Sequence, residues 1–146
     1  MAYEVSIFLE NKIGHVERIT QILKKNEINI RTMSINDTAN GWGILNLLVN
    51  NPQKAYKALE TEGVSVALKE VIALEMKDEL GGLDDLLLKV TQAKVNFNNA
   101  YGRIIEETKA AILILDVSDI PDSQNKLAKN GLHILDDEKV YGNLNY

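Results

Sequence analysis

The sequence repeats itself at a nearly constant spacing, and this repeat limits the folds that the chain can adopt. In the first half of each copy the spacing is 67, since 81 − 14 and 96 − 29 agree, and it matches Gly14, Val16, Ile19 and Asn29 with Gly81, Leu83, Leu86 and Asn96. In the second half it is 68, which matches Leu45, Leu47, Val49, Leu59 and Gly63 with Leu113, Leu115, Val117, Leu127 and Gly131. A repeat this long exceeds the usual solenoid periods and indicates a duplicated domain. We expect one domain over 1–69 and a second over 70–146.

Each copy carries the hydrophobic pattern of the element order β-α-β-β-α-β. Val5, Ile7 and Leu9 alternate with other residues as in a strand, and the apolar residues of 13–23 recur at helical spacing. Asn40-Gly41 predicts a hairpin turn, and Asn51-Pro52 and Gly63 predict the start and the end of the second helix.

This element order folds most simply as a ferredoxin-like antiparallel sheet with both helices on one face. We therefore expect an α+β protein in which two such sheets lie side by side, with all four helices on one face. The opposite sheet face, which carries Phe8, would then be available for pairing two chains as a homodimer.

The composition narrows the range of partners. The 146 residues include 16 basic and 21 acidic side chains, a formal charge of −5, so we expect no binding to nucleic acid or to an anionic membrane. The longest apolar run, Ala110 to Leu115, is far shorter than the roughly 20 residues of a membrane-spanning helix. Because the first residues carry no basic and apolar leader, we expect a cytoplasmic protein.

Residues suited to catalysis or metal binding do not cluster in the sequence. Cysteine is absent, and the two histidines, His15 and His133, lack the spacing of a metal-binding pair. Adjacent acids at 84–85, 106–107 and 136–138 point to different sides of their elements. We expect no metal, no cofactor and no catalytic residues. A small enzyme on a ferredoxin-like scaffold and a purely protein-binding module remain as alternatives.

The turn Glu10-Asn11-Lys12-Ile13-Gly14, with Asn29 at the start of the second strand, resembles the ACT domain, an amino-acid-sensing module of many biosynthetic enzymes. The resemblance covers essentially the whole chain as two tandem copies. In the serine-sensing ACT domain that this turn resembles, an asparagine before the turn glycine and another opening the second strand contact the effector. The resemblance therefore implies effector contacts by Asn11 and Asn29, with Ile13 and Gly14 beside them.

The second copy matches this turn at Leu80, Gly81 and Asn96, but Asp78 stands where Asn11 stands in the first. A carboxylate can accept a hydrogen bond from an ammonium group but donates none to a carboxylate, so the two sites need not be equivalent. The alternative is that these asparagines and glycines serve caps and turns alone.

The resemblance implies a stand-alone regulatory protein. Such a protein would bind a small effector, an amino acid, at the interface between ACT domains. A partner enzyme or regulator would then read the change in conformation.

Overall fold

The computed structural model describes residues 1–38, 40–105 and 110–142, and the chain divides into two compact units. Of the described residues, the first unit comprises Tyr3–Lys69 together with Tyr141 and Gly142, and the second comprises Met1–Ala2 and Glu70–Val140. Among the described residues, no helix combines the length and the apolar character needed to cross a bilayer.

The first unit contains the predicted ferredoxin-like order, which the structure confirms. Its elements are β1 (Ala2–Glu10), α1 (His15–Lys25), β2 (Ile30–Asp37), β3 (Trp42–Val49), α2 (Pro52–Thr61) and the first part of β4 (Val66–Lys77). Strand β3 lies between β1 and β2 and is antiparallel to both, so β1 and β2 run parallel to each other.

The local signals act as expected in this unit. The Asn51 side chain accepts a hydrogen bond from the Lys54 N–H at 3.1 Å and caps α2, and Pro52 takes the first helical position. Gly41 in the hairpin turn and Gly63 after α2 both have positive φ. The two helices bury their apolar faces against one side of the sheet, where the core contains Ile7, Leu9, Ile19, Leu23, Leu45, Leu47 and Leu59.

The second unit repeats this arrangement through α4. Its elements are the remainder of β4, then α3 (Gly82–Gln92), β5 (Asn99–Ile105), β6 (Ala110–Asp116), α4 (Ile120–Lys129) and α5 (Asp137–Tyr141). Strand β6 lies between β4 and β5 and is antiparallel to both, and α3 and α4 pack on one face over Ile72, Leu74, Leu113 and Leu115.

The second unit departs from the repeat after α4. Where the first unit has the long fourth strand β4, the second has only an isolated antiparallel bridge between Leu74 and Ile134. The chain then forms the short helix α5, which has no counterpart in the repeated pattern. Arg103 donates a hydrogen bond to the Val140 carbonyl at 2.8 Å from the sheet face opposite to α3 and α4. Helix α5 therefore covers part of that opposite face in the second unit, and Ile112 and Ile114 are buried there.

Candidate functional site

The turn between β1 and α1 is held by its own backbone. The Lys12 N–H donates to the Glu10 carbonyl at 2.9 Å, and the His15 N–H donates to the Lys12 carbonyl at 3.2 Å. Gly14 occupies the position before α1 with φ +88°, a left-handed conformation that residues other than glycine rarely adopt. The turn therefore takes a defined shape without any contribution from the Asn11 side chain.

The N-terminus of α1 is open to solvent. No side chain caps it, and a Cβ atom built on Gly14 would meet nothing within 4 Å. Asn11 and Ile13 precede this helix start in the turn, and both are exposed, Ile13 fully, while the Asn11 N–H donates to the Gly41 carbonyl at 2.8 Å. Unpaired N–H groups at a helix start attract anions such as a carboxylate.

The charged groups beside the turn are paired with each other. The Lys12 ammonium lies 2.5 Å from a Glu10 carboxylate oxygen, and this hydrogen bond and charge contact lower the pKa of Glu10. The His15 ring nitrogen Nδ1 lies 2.9 Å from the Glu10 carbonyl oxygen. His15 is thus fixed to the same turn and is partly buried there.

The corresponding turn of the second unit has the same hydrogen bonds, shifted by 67 residues. Glu79 N–H donates to Lys77 O, Gly82 N–H to Glu79 O and Asp85 N–H to Gly81 O, each at 3.0 Å. Gly81 has φ +79°, and Leu80, like Ile13, is fully exposed. The sequence repeat therefore extends to the backbone of the two predicted sites, although Asp78 changes the charge of the second.

The two polar residues of each predicted site lie at opposite ends of their unit. Asn11 follows β1, whose end pairs Glu10 with Trp42, whereas Asn29 precedes β2, whose start pairs Ile30 with Val49. The rise from Trp42 to Val49 is about 23 Å at roughly 3.3 Å per residue. The same separation applies to Asp78, after the end of β4, and Asn96, before the start of β5. One unit alone does not bring its two predicted contacts together.

Asn29 uses its backbone, and its side chain is exposed. Its N–H donates to the Asn50 Oδ1 at 3.0 Å, and its carbonyl accepts from the Asn50 N–H at 3.1 Å. The side chain borders a shallow groove of about 730 Å³ along α1, which Glu17 and Lys24 also line. Asn29 is therefore available for contact with a molecule outside its own turn.

The described histidine, aspartate and glutamate side chains do not cluster as a metal site would require. Among residues 1–38, 40–105 and 110–142, no group of three or more histidine, aspartate and glutamate side chains is placed to hold a metal ion. Asp84 and Asp85 are exposed on α3, and the acid pair at 106–107 lies outside the described residues.

A cleft of the second unit was not anticipated from the sequence. It has a volume of about 490 Å³ and lies beside the end of β4, where His133, Gly82 and Lys89 are among its lining residues. The sequence carries no clear signal for it, because Gly82 stands at the position of His15 but a Cβ there would point at the Lys77 carbonyl oxygen, 2.2 Å away.

Comparison with known proteins agrees with this fold. A protein from Bacteroides thetaiotaomicron has a solved structure that is 27% identical, with a TM-score of 0.85, over 97% of this chain and 96% of that chain. The ligand-free regulatory subunit of aspartate kinase from Thermus thermophilus is 11% identical, with a TM-score of 0.63, over 88% of this chain and 91% of that chain. The corresponding subunit from Thermus flavus is 12% identical, with a TM-score of 0.55, over 89% and 92%.

No curated protein matches the sequence. The family model described as an ACT domain pair matches residues 1–143, which is nearly the whole chain. The resemblance seen in the turn motifs is thus confirmed over both copies, and the chain belongs to the family of ACT domain pairs.

Proposed function

We propose that this ACT domain pair is a non-catalytic regulatory protein whose effector is a small α-amino acid bound at the turn between β1 and α1. The observation that carries the proposal is the uncapped start of α1 beside the exposed Asn11. The His15 N–H is used within the turn, but no side chain caps the N–H groups that follow it, and these groups and the positive end of the helix dipole suit a carboxylate. The Asn11 amide oxygen can accept a hydrogen bond from an ammonium group.

The position of Asn29 supports a site with contributions from more than one ACT repeat. Because Asn11 and Asn29 lie at opposite ends of one unit, an effector that touches both kinds of residue must also reach a second repeat. Such an effector would bind one arrangement of the repeats more tightly than another and would shift the equilibrium towards it. A partner enzyme or regulator would respond to that shift. A regulatory role is supported by the similar chain from Thermus thermophilus, which is the regulatory subunit of aspartate kinase.

A thermal-shift screen with each of the standard amino acids tests the proposal. An effector at a hundred times its Kd stabilises the folded state by about 2.7 kcal/mol. That gain corresponds to a rise of several degrees in Tm for a chain of this size. Calorimetric titration would then give the Kd of any amino acid that raises Tm.

The variant Asn11→Ala should lose the shift, because the ammonium group loses its acceptor. Asn125→Ala is the matched control, since Asn125 is also an exposed asparagine but lies on α4. The control should keep the shift. A wild-type protein that no amino acid stabilises would contradict the proposal, as would an unchanged Kd in Asn11→Ala.

A further inference from the structure

Tyr141, the last residue of α5, belongs to the first unit and is buried. Its hydroxyl accepts a hydrogen bond from the Tyr3 N–H at 2.6 Å and lies 3.4 Å from the Tyr3 carbonyl oxygen, to which it donates. The ladder between β1 and β3 begins at the Val5–Leu47 pair, so Tyr3 lies just before it. Tyr141 therefore bonds to the main chain of β1 at the point where its ladder with β3 has ended.

The Tyr141 carbonyl is held from a second strand. Arg31, near the start of β2, donates to it through Nε at 2.7 Å. Strand β2 carries a bulge here, because it advances by two residues, from Ile30 to Thr32, while its partner β3 advances by one. Arg31 is the extra residue, and a bulge changes the direction of the side chain that it carries. Tyr141 thus bonds to both strands that flank β3, to β1 through its hydroxyl and to β2 through its carbonyl.

The bulge lies next to Asn29, which precedes Arg31 by two residues. The Asn29 N–H donates to the Asn50 Oδ1 at 3.0 Å, and the Asn29 carbonyl accepts from the Asn50 N–H at 3.1 Å. Asn50 is itself buried. The backbone of Asn29 is therefore fixed by Asn50 on one side and by the bulge that Arg31 and Tyr141 hold on the other.

Helix α5 cannot place Tyr141 by itself. It has five residues, far fewer than a helix needs to be stable alone in water. Asp136 caps it, since the Lys139 N–H donates to the Asp136 Oδ1 at 3.1 Å, but a single cap does not make so short a helix stable. The position of Tyr141 therefore depends on its contacts with the first unit.

We propose that Tyr141 is a latch on the first unit and that Arg31 is the positioning residue through which this latch fixes Asn29. While Tyr141 is docked, its carbonyl holds Arg31 and the bulge keeps one shape. When Tyr141 is released, Arg31 loses this acceptor, and the start of β2 opens locally without unfolding of the unit. Only the importance of Asn29 for an effector rests on the proposed function. An effector bound at Asn29 and the docking of Tyr141 then favour each other.

Amide hydrogen exchange in the full-length chain, followed by NMR, tests the latch without any effector. Tyr141→Phe keeps the ring and removes the hydroxyl that bonds to Tyr3. Exchange at the Asn29 and Asn50 amides should then become about tenfold faster, because a docked latch protects both. The Thr38 amide, which donates to the Trp42 carbonyl at 2.7 Å at the other end of the hairpin, is the control and should be unchanged.

Variants of Arg31 test the path from the latch to Asn29. Arg31→Met removes the donor and should also raise exchange at Asn29 about tenfold. Arg31→Gln carries an N–H donor at the same number of bonds from the main chain, so its effect should be clearly smaller. Arg18→Met is the matched control, since Arg18 donates to the Glu62 carbonyl at 3.2 Å, and it should leave exchange at Asn29 unchanged.

The double variant with Arg31→Met and Tyr141→Phe shows whether the two residues act together. If both belong to one latch, exchange at Asn29 should be little faster than in Arg31→Met alone. Effects that multiply would overturn the proposal, as would unchanged exchange at Asn29 and Asn50 in Tyr141→Phe. Equal acceleration at Thr38 would overturn it too, because it would indicate a general loss of stability.

These results are separate from those of the amino-acid screen. If no amino acid raises Tm while exchange at Asn29 responds as expected, the proposed function fails and the latch stands. If an amino acid raises Tm and Asn11→Ala abolishes this shift, but exchange at Asn29 does not respond to Tyr141→Phe, the proposed function stands and the latch fails.

Discussion

Gly14 and Gly82 lack a side chain for different reasons. Gly14 has φ +88° with open space around it, so Gly14→Ala costs only the strain of a left-handed residue, about 1 kcal/mol. Gly82 does not have a positive φ, but there is no space for a side chain, because an added Cβ would lie 2.2 Å from the Lys77 carbonyl oxygen. We expect Gly82→Ala to lower the free energy of unfolding more than Gly14→Ala does, by about 1–3 kcal/mol, the usual range for overpacking. Urea unfolding of the two variants would measure both losses.

Gly102→Ala is the control for both glycine variants. Gly102 lies in β5 without positive φ, and an added Cβ would be 3.9 Å from the nearest atom, the Ile112 carbonyl oxygen. Its free energy of unfolding should stay the same or rise slightly, because alanine reduces the freedom of the unfolded chain. Equal losses at Gly14 and Gly82 would contradict the assigned difference between strain and crowding.

The ion pair between Glu10 and Lys12 leads to a prediction about how stability depends on pH. The hydrogen bond and charge of Lys12 lower the pKa of Glu10 below its ordinary value of 4.5. A carboxyl whose pKa is lower in the folded state adds stability above its unfolded pKa, and this contribution is lost as the pH falls through the folded pKa. An NMR titration of Glu10 should therefore give a pKa below 4.5 in the native protein.

Lys12→Met tests the cause of that shift. Methionine keeps an unbranched side chain but removes the ammonium group, so the pKa of Glu10 should rise towards its ordinary value. Because both groups are exposed, added salt should produce a smaller change in the same direction. A Glu10 pKa that does not change in Lys12→Met would show that Lys12 is not its cause.

At the scale of single elements, the starts of α2 and α4 are equivalent capped positions. Asn51 and Asp119 each accept a hydrogen bond from the N–H three residues on, at 3.1 and 3.0 Å. Asn51→Ala and Asp119→Ala should each reduce the free energy of unfolding by about 1 kcal/mol, measured by chemical denaturation. Asn51→Asp and Asp119→Asn retain an acceptor and should change it by only a few tenths. If these two variants lost as much free energy of unfolding as the alanine variants, the capping hydrogen bond would not be the cause of the loss.

The elements that sequence reasoning predicts well are those with strong local signals. The hairpin at Asn40-Gly41 and the capped, Pro-started helix α2 lie where the sequence places them, because each depends on only a few neighbouring residues. The segment 132–134 shows why other features were missed. Leu132 and Ile134 pack against the core as their alternation indicates, yet the backbone makes only one bridge. Hydrophobic alternation reports which face a side chain takes and carries no information on whether the backbone pairs.

The predicted site shows a similar limit. Motif matching places Asn11 and Asn29 in one group because both resemble effector contacts, but β1 and β2 run parallel and are joined by α1. Such a connection returns the chain to the far end of the sheet, so the end of one strand and the start of the next are necessarily apart. The connectivity itself was enough to predict this separation. The position of α5 was not predictable in this way, since nothing in the repeat corresponds to it.

At the scale of the whole molecule, the exposed aromatic pair of the first unit bears on self-association. Phe8 and Trp42 stack with their ring centroids 4.9 Å apart, and Ile44 lies opposite Phe8 on the same sheet face. All three are partly exposed, and aromatic residues are enriched at the centres of protein interfaces. We expect this patch to pair two copies of the chain as a homodimer, with the same residues contributed by each copy.

Light scattering at micromolar concentration tests the dimer, and the chain provides its own control. Phe8→Ser removes one ring of the stack and should weaken dimerisation by about 2 kcal/mol, roughly thirtyfold in Kd. Phe97→Ser removes a phenylalanine of similar exposure, 41% against 49% for Phe8, at a position outside the patch. It should leave the dimer Kd unchanged. A monomeric wild-type protein, or an equal effect of both variants on the dimer Kd, would show that the sheet face around Phe8 is not a dimer interface.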